Sequence, residues 1–108
     1  MPVEKLTLDP SYGNGAVPTG SYTRFVGDNY KRRWFSITVP PTEADSMLLV
    51  LAREADFVSN LNYAQIYMAP GTSIVLSMSG DMPWQGAIYG TGVVGDSYCY
   101  WSEVEDYP

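Results

Sequence analysis

The stretch that decides the fold begins at Ala69 and reads A-P-G-T-S-I-V-L-S-M-S-G-D-M-P-W-Q-G-A-I-Y-G. After a glycine-rich spacer it closes with S-Y-C-Y-W-S-E-V-E, ending at Glu105. Pro70 and Gly71 predict a turn, since proline presets one backbone angle and glycine accepts a positive φ. An alternating strand follows this turn, a second turn holds Trp84, and an aromatic strand closes the segment. The stretch contains no recognisable catalytic motif, so it indicates architecture rather than chemistry.

The rest of the chain repeats this pattern of short alternating runs between turn signals. The predicted strands are Val3–Leu8, Ser21–Val26, Arg33–Val39, Ser46–Ala52, Asn62–Met68, Ser73–Ser79, Gly86–Tyr89 and Ser97–Val104. Short, regularly spaced strands favour a sandwich over a parallel α/β fold. The sequence therefore predicts an all-β protein, a single antiparallel β-sandwich or jelly-roll-like domain of about eight strands.

The strand phases predict which side chains form the core. In Arg33–Val39, alternation places Phe35, Ile37 and Val39 inward. In Ser73–Ser79 it places Ile74, Leu76 and Met78 inward. Ser46–Ala52 is apolar on both faces, so it is either a strand covered on both sides or one whose outer face meets a partner. A helix is the competing interpretation, because T-E-A-D before it resembles capping material; its shortness favours a strand. Glu54–Leu61 is a weak helix candidate, better interpreted as a loop with a single turn.

The N-terminal region differs from the rest in composition. Residues Asp9 to Gly20 read D-P-S-Y-G-N-G-A-V-P-T-G, dense in turn formers and poor in apolar residues. We expect a long connection that lies over the surface of the domain or of a neighbouring copy. The predicted organisation is an extended N-terminal arm over residues 1–20 and a β-sandwich domain over residues 21–108.

Charge excludes one class of partner. The 108-residue chain carries a net charge of −6, and its charged fraction of 17% lies below the usual quarter, about 25%. An acidic domain repels phosphate backbones, so we expect no nucleic-acid partner. All six basic residues lie in the first half. Among them, Lys31-Arg32-Arg33 either meets an acidic patch on a partner or forms a solvated turn entering a strand.

Histidine is absent and Cys99 is the single cysteine. Histidine-dependent triads, zinc sites and an intrachain disulfide are therefore excluded, and we expect no metal and no cofactor. Cys99 is expected to be a buried, inert thiol. The N-terminus lacks the pattern of a signal peptide, and no apolar run approaches the ~20 residues of a membrane span. We expect a protein made in a reducing cytoplasm, with no membrane partner.

Enzymatic activity is not expected. The acidic residues flanking Ser46–Ala52 and those at the C-terminus form no pair at a spacing that the sequence defines across a cleft. No G-x-S-x-G nucleophile motif occurs. The run G-T-G-V-V-G, residues 90–95, lacks the lysine of a phosphate-binding loop and is better explained as a hairpin connection.

Aromatic residues are in excess: three tryptophans, nine tyrosines and three phenylalanines. Exposed aromatic rings on a sheet either stack on sugars or anchor protein–protein contacts. Trp84, next to Pro83 in a turn, is the best candidate for a contact residue. The alternative is that Trp84 covers the end of the sandwich.

Four motifs, taken in order, resemble small β-sandwich accessory proteins in the virions of tailed bacteriophages. They are N-Y-K-R-R-W-F-S-I-T-V (Asn29–Val39), A-P-G-T-S-I-V-L-S (Ala69–Ser77), P-W-Q-G-A-I-Y-G (Pro83–Gly90) and the closing S-E-V-E. The resemblance covers about residues 29–105 and implies a structural role in the particle, on the capsid or at the tail. It implies no catalytic residues. The Asp9–Gly20 arm and the Pro40-Pro41 break have no counterpart in the pattern.

The functional prediction is therefore a non-enzymatic capsid decoration or cement protein at the virion surface, made in the host cytoplasm. Its expected partners are the major capsid protein and further copies of itself, with a trimer as one arrangement. The residues predicted to contact partners are Tyr12, Lys31, Arg32, Arg33 and Trp84. The alternative is a carbohydrate- or receptor-binding module of a tail or fibre, and a sandwich of unknown partner ranks third.

Overall fold

The computed structural model describes residues 8–57, 64–77 and 84–106. These residues form short β-strands and a single 3-10 turn, Glu54–Asp56, within the described ranges. The strands are β1 (Leu8–Val17), β2 (Thr23–Val26), β3 (Arg32–Thr38), β4 (Met47–Leu51), β5 (Ala64–Met68), β6 (Ser73–Ser77), β7 (Ile88–Gly92) and β8 (Ser97–Asp106). Within these ranges no helix is long and apolar enough to cross a membrane.

The strands form two four-stranded sheets. Sheet I has the order β1-β8-β3-β6, and sheet II has the order β2-β7-β4-β5. Every ladder between these strands is antiparallel. Because β1 pairs with β8, β2 with β7, β3 with β6 and β4 with β5, the chain behaves as one long hairpin folded over onto itself. This is the jelly-roll arrangement, and it confirms the predicted all-β sandwich.

The main core lies between the two sheets. Its fully or almost fully buried members are Val17, Val26, Phe35, Ile37, Val39, Met47, Leu49, Met68, Ile88 and Cys99. Phe35, Ile37 and Val39 alternate along one strand, because successive side chains of a strand point to opposite faces. The predicted inward phase of this strand is confirmed. Ile74 and Leu76 also pack against this core, while Val75 between them is 55% exposed. The predicted core position Met78 lies outside the described residues.

Strand β4 is covered on both faces by its own chain. A second, smaller cluster lies on the side away from the main core and consists of Val50, Ala52, Ala87 and Tyr89, with Tyr22 and Phe57 packed against it. The rings of Phe57 and Tyr89 stack with their centroids 3.9 Å apart. Phe57 directly follows the 3-10 turn. The strand interpretation of Ser46–Ala52 is therefore confirmed, and the loop after β4 supplies part of its outer cover.

The N-terminal region requires a correction. The sequence predicted a surface connection over Asp9–Gly20, but most of this segment is strand β1, paired along its length with β8 from Leu8↔Asp106 to Val17↔Ser97. The composition of this segment did not predict a strand. Strand pairing depends on backbone hydrogen bonds to a partner strand, which a segment poor in apolar side chains can also form. Val17 is fully buried, so the end of this strand belongs to the core. Residues 1–7 lie outside the described ranges.

The glycine-rich run also requires a correction. The sequence placed a strand over Gly86–Tyr89 and a connection over Gly90–Gly95, whereas β7 runs from Ile88 through Gly92. Gly90 sits beneath a core ring: a Cβ there would lie 2.6 Å from the ring of Phe25. Glycine is therefore accommodated within β7 because the absence of a side chain at position 90 leaves room for the ring of Phe25.

Candidate functional site

A β-bulge at the start of β3 decides where the basic cluster points. Trp34 pairs with Val104 of β8, whereas Arg32 pairs with Glu105, so Arg33 is an extra residue on β3. An extra residue reverses the alternation of side chains beyond it. Arg32 therefore turns to the inner side of sheet I, although regular alternation would place it outside with Trp34.

Arg32 is fully buried and all its contacts are internal. Its Nε donates to Glu103 Oε1 at 2.6 Å, an ion pair in which the Glu103 side chain is 13% exposed. The two terminal nitrogens donate to backbone carbonyl oxygens of Gly86 (2.7 Å), Gly27 (2.7 Å) and Trp84 (3.2 Å). The prediction that Arg32 contacts a partner is therefore corrected: its guanidinium closes one end of the sandwich.

Asn29 ties the loop between β2 and β3 to the last strand. Its side-chain nitrogen donates to Glu103 Oε1 at 3.1 Å and to Glu105 Oε2 at 2.5 Å. Its side-chain oxygen accepts the backbone N–H of Lys31 at 3.0 Å. Its own N–H donates to the carbonyl of Gln85 at 2.8 Å. These contacts hold Glu103 and Glu105 of β8 as hydrogen-bond acceptors within the fold.

Two further acidic residues close the same end of the molecule. The backbone N–H of Glu54 donates to Asp28 Oδ1 at 3.1 Å, and that of Asp28 donates to Glu54 Oε2 at 3.2 Å. Asp28 Oδ1 also accepts the N–H of Ala87 at 2.8 Å, and Arg24 pairs with Glu54. Within the described ranges, no group of three or more acidic or sulfur-bearing side chains is arranged to hold a metal ion. Through these hydrogen bonds, the carboxylates of Asp28 and Glu54 connect the loop after β2 to the segments around residues 54 and 87.

Trp84 is half-buried and packs against the main core. Its indole nitrogen donates to the carbonyl of Ala87 at 3.1 Å. Its ring lies over Gly86, where a Cβ would come within 2.4 Å, and the guanidinium of Arg53 lies 5.8 Å from the ring centroid. The ring therefore covers the end of the sandwich, which was the alternative to a contact residue. A direct role of Trp84 in binding stays a prediction.

The structure separates the predicted contact residues into two places. Lys31, Arg32 and Arg33 lie at one end of the sandwich with Trp84, as the hydrogen bond from Arg32 to the Trp84 carbonyl shows. Lys31 and Arg33 are half-buried there. Tyr12 lies elsewhere, on the outer face of sheet I opposite Ser102, and is 76% exposed. The spacing of these residues in the sequence did not indicate this separation, because it depends on strand pairing.

Cys99 is fully buried in the main core, as the sequence predicted. Burial in these apolar surroundings raises the pKa of its thiol to about 12. The thiolate is the nucleophilic form of cysteine, so the folded protein holds this side chain in its unreactive form at neutral pH.

A cleft of about 200 Å³ lies between β1 and β2, the neighbouring edge strands of the two sheets. Its lining consists of Gly13, Asn14, Gly15, Ala16, Thr23, Arg24, Phe25 and Trp101. The ring of Trp101 occupies the space above Gly13, where a Cβ would lie 2.2 Å from it. The Trp101 ring therefore fills the space that a side chain at position 13 of β1 would occupy, and it packs against the main core.

No family model matches the chain, and no curated protein matches it. Among solved structures, the chain is similar to one described in the words "Bacillus endospore appendages form a novel family of disulfide-linked pili". The TM-score is 0.56 at 8% sequence identity, over 95% of this chain and 89% of the other. This similarity establishes a shared small all-β fold. It carries no link to bacteriophage proteins, so the resemblance to virion accessory proteins stays a prediction.

Proposed function

We propose that this chain is a non-enzymatic structural protein that acts as a rigid subunit of a larger protein assembly. The observation that carries the proposal is the jelly roll itself, whose fold is similar over 95% of the chain to that of a protein described as belonging to endospore pili. A sandwich of this type buries its core in a single compact unit and offers broad, flat sheet faces to its neighbours.

The internal contacts support a rigid unit. At the end closed by Arg32, the side chains of Asn29, Arg32 and Glu103 are bonded to one another, and Arg32 is also bonded to the backbone. No buried side-chain nitrogen or oxygen in the described residues lacks a hydrogen-bond partner. Fully satisfied polar networks rigidify a fold. A rigid subunit loses little conformational entropy on assembly, which favours repeated contacts of modest area.

At finer detail, we propose a capsid decoration protein that binds the major capsid protein at the virion surface. The sequence resemblance to phage accessory proteins supports this assignment. The basic side chains Lys31 and Arg33, half-buried beside the bulge, are the remaining candidates for contact with an acidic partner surface. Arg32 is no longer a candidate, because it is fully buried.

An appendage subunit is the second candidate, favoured by the fold similarity. The disulfide linkage named for that family does not transfer to this chain. The single cysteine, Cys99, is fully buried and has no exposed sulfur through which two copies could be joined. Copies of this chain in an appendage would therefore not be joined through Cys99 while it stays folded in the core.

Locating the protein in its native setting tests the proposal. Antibodies raised against the full chain would be applied to particles from a culture of the source cells, separated on a density gradient and viewed by immunogold electron microscopy. Label on capsids is the expected result; label on filaments would favour the appendage assignment. Label confined to the fraction of free protein would overturn the structural role.

A binding experiment tests residues 1–7, the part of the predicted arm that precedes strand β1. Deleting residues 1–20 would remove strand β1 and expose β8, so the loss of binding would reflect misfolding. Deleting residues 1–7 leaves every described strand in place. Purified capsids would be incubated with the full chain and with this shorter variant, and occupancy measured by co-sedimentation. Reduced occupancy with retained folding would support a binding role for residues 1–7, and unchanged occupancy would count against it.

A further inference from the structure

The central part of the outer face of sheet I carries no charged side chain among the residues whose side chains the structure describes. We call it the tyrosine face; its members are Tyr12, Asn14, Ala16, Trp34, Ser36, Thr38, Ser73, Val75, Tyr98, Tyr100 and Ser102. None of these residues is acidic or basic, although the chain contains 12 acidic and 6 basic residues. Soluble domains usually spread charge over exposed sheet faces, so an uncharged face of this extent indicates an interaction surface.

Cross-strand pairing arranges this face in regular rows. One row runs across the four strands as Tyr12, Ser102, Ser36 and Val75. The next row runs as Asn14, Tyr100, Thr38 and Ser73. The face is therefore continuous from one edge of the sheet to the other.

The small polar groups of this face are already bonded to each other. The hydroxyls of Ser36 and Ser102 lie 3.0 Å apart, and those of Thr38 and Ser73 lie 2.7 Å apart. Groups that are paired within one face lose little when water leaves it. The large exposed side chains of this face are aromatic or apolar: Tyr12 (76%), Val75 (55%) and Tyr100 (52%). The smaller residues Asn14, Ala16 and Ser73 are also exposed.

We infer that the tyrosine face binds the same face of a second copy, so that the chain forms a two-fold dimer through sheet I. This inference deepens the proposed structural role and rests on it, since it names a partner for that role. In such a dimer the same patch is contributed by both subunits, so the patch must be compatible with itself.

The charge distribution is compatible with a second copy as the occupant. Each copy carries a net charge of −6, so a contact between acidic surfaces would bring like charges together at a cost. The tyrosine face avoids that cost because it carries no charge on either side. Tyrosine and serine are also residues that form rigid, adaptable contacts between proteins.

The available area is compatible with a weak dimer. Four strands about 4.8 Å apart and about seven residues of about 3.3 Å each give a flat footprint of about 440 Å² per copy. Rings that stand above the sheet add accessible surface, so two copies bury on the order of 1,000 Å². This lies at the lower end of specific interfaces. The dimer is therefore expected to depend on protein concentration.

The test measures the oligomeric state of the purified full-length chain by sedimentation velocity over a concentration series. The expected result for the natural sequence is a monomer–dimer equilibrium. Added salt should leave the dimer unchanged or strengthen it, because salt screens the repulsion between acidic copies and no ion pair crosses the interface. A monomer at every concentration would overturn the inference.

Matched variants locate the interface. Tyr100→Glu places a charge in the tyrosine face, and we expect the dissociation constant to rise at least about tenfold. Tyr67→Glu is the control, since Tyr67 is a strand tyrosine of similar exposure (59%) on sheet II. Tyr100→Phe should retain the dimer. If Tyr100→Glu fails to fold, Val75→Glu on the edge strand β6 replaces it. Equal losses for Tyr100→Glu and Tyr67→Glu would contradict the assignment of the face.

Two further readouts separate the competing outcomes. A monomeric chain that sediments with insoluble cellulose or chitin, and loses this binding in Tyr100→Glu, would overturn the inference in favour of a glycan surface. A monomeric chain that is still located on particles would overturn the dimer and leave the proposed structural role intact. A dimer without any location on particles would support the interface and count against the structural role.

Discussion

Replacing Arg32 by alanine is the sharpest test of the structural reasoning. Arg32 is fully buried, forms an ion pair with Glu103 and donates to the carbonyl oxygens of Gly86, Gly27 and Trp84. The substitution removes every one of these donors at once. It leaves a carboxylate that is only 13% exposed without its cation.

The expected loss of stability follows from what remains unpaired. Removing one partner of a buried ion pair costs about 3–5 kcal/mol, because the remaining charge stays buried without compensation. Glu103 retains its hydrogen bond from Asn29, which limits the loss, while the Gly86 carbonyl loses the donor that reaches it from Arg32. We therefore expect Arg32→Ala to lower the free energy of unfolding by about 3–5 kcal/mol. Proteins of this size have about 5–15 kcal/mol in total, so the variant should be folded but marginal.

Urea unfolding followed by tryptophan fluorescence measures this loss. With a denaturant slope of about 1.5 kcal/mol/M, the expected decrease in the midpoint is about 2–3 M. Arg24→Ala is the matched control, because Arg24 pairs with Glu54 at the surface, with side-chain exposures of 56% and 38%. An exposed pair of this kind contributes about 0–1 kcal/mol. Arg32→Met, which restores most of the volume without any donor, should lose nearly as much as Arg32→Ala.

A small effect would refute the reasoning. If Arg32→Ala cost less than about 1 kcal/mol, or no more than Arg24→Ala, the buried ion pair would not hold the end of the sandwich. The β-bulge at Arg33 would then have no energetic role in directing Arg32 inward.

Further predictions concern the glycines, the core and the thiol. Gly13→Ala should lower the free energy of unfolding by about 1–3 kcal/mol, because its Cβ would lie 2.2 Å from an indole ring. Gly15→Ala should change it by less than about 0.5 kcal/mol, since no atom lies within 4 Å of its Cβ; equal losses for both would contradict this account. In the same urea assay, Ile37→Ala should cost about 2–5 kcal/mol and Leu76→Ala clearly less, because only Ile37 is fully buried. A loss below about 1 kcal/mol at Ile37 would contradict the assigned strand phase. Cys99 should react with a thiol reagent in urea but not in the folded state. Its folded pKa of about 12 lies above the ordinary value of 9.0. Its contribution to stability should therefore be fully present below about pH 9 and be lost as pH rises toward 12, and a Cys99→Ala variant should lack this alkaline component.

Much of the fold was predictable from local patterns. Phe35 and Ile37 were predicted to face inward because alternation along a strand is a property of the backbone itself. The strand at Ser46–Ala52 was predicted from its length and its surroundings, and the burial of Cys99 followed from its apolar, aromatic neighbours. Each of these inferences needed only residues close together in the chain.

The candidate site was much less predictable. Arg32 was expected to be exposed with Lys31 and Arg33, since three consecutive basic residues usually form a solvated turn. Its burial depends on a bulge in the ladder with β8, and Glu103 lies 71 residues away along the chain. The short alternation of β3 contained no signal for that extra residue. The Arg32–Glu103 pair could have been found only by combining the register of β3 and β8 with the charge of both residues.

The sequence by itself therefore determined that this chain is an all-β protein, where most of its strands lie and which face of β3 and of β6 is apolar. Turn residues and alternation decide these features, because both act over a few neighbouring residues. The tertiary structure alone decided that β1 belongs to sheet I, that Arg32 points inward and that the tyrosine face is continuous and uncharged. These features depend on the register between strands far apart in sequence, where a shift of one residue moves every side chain to the opposite face.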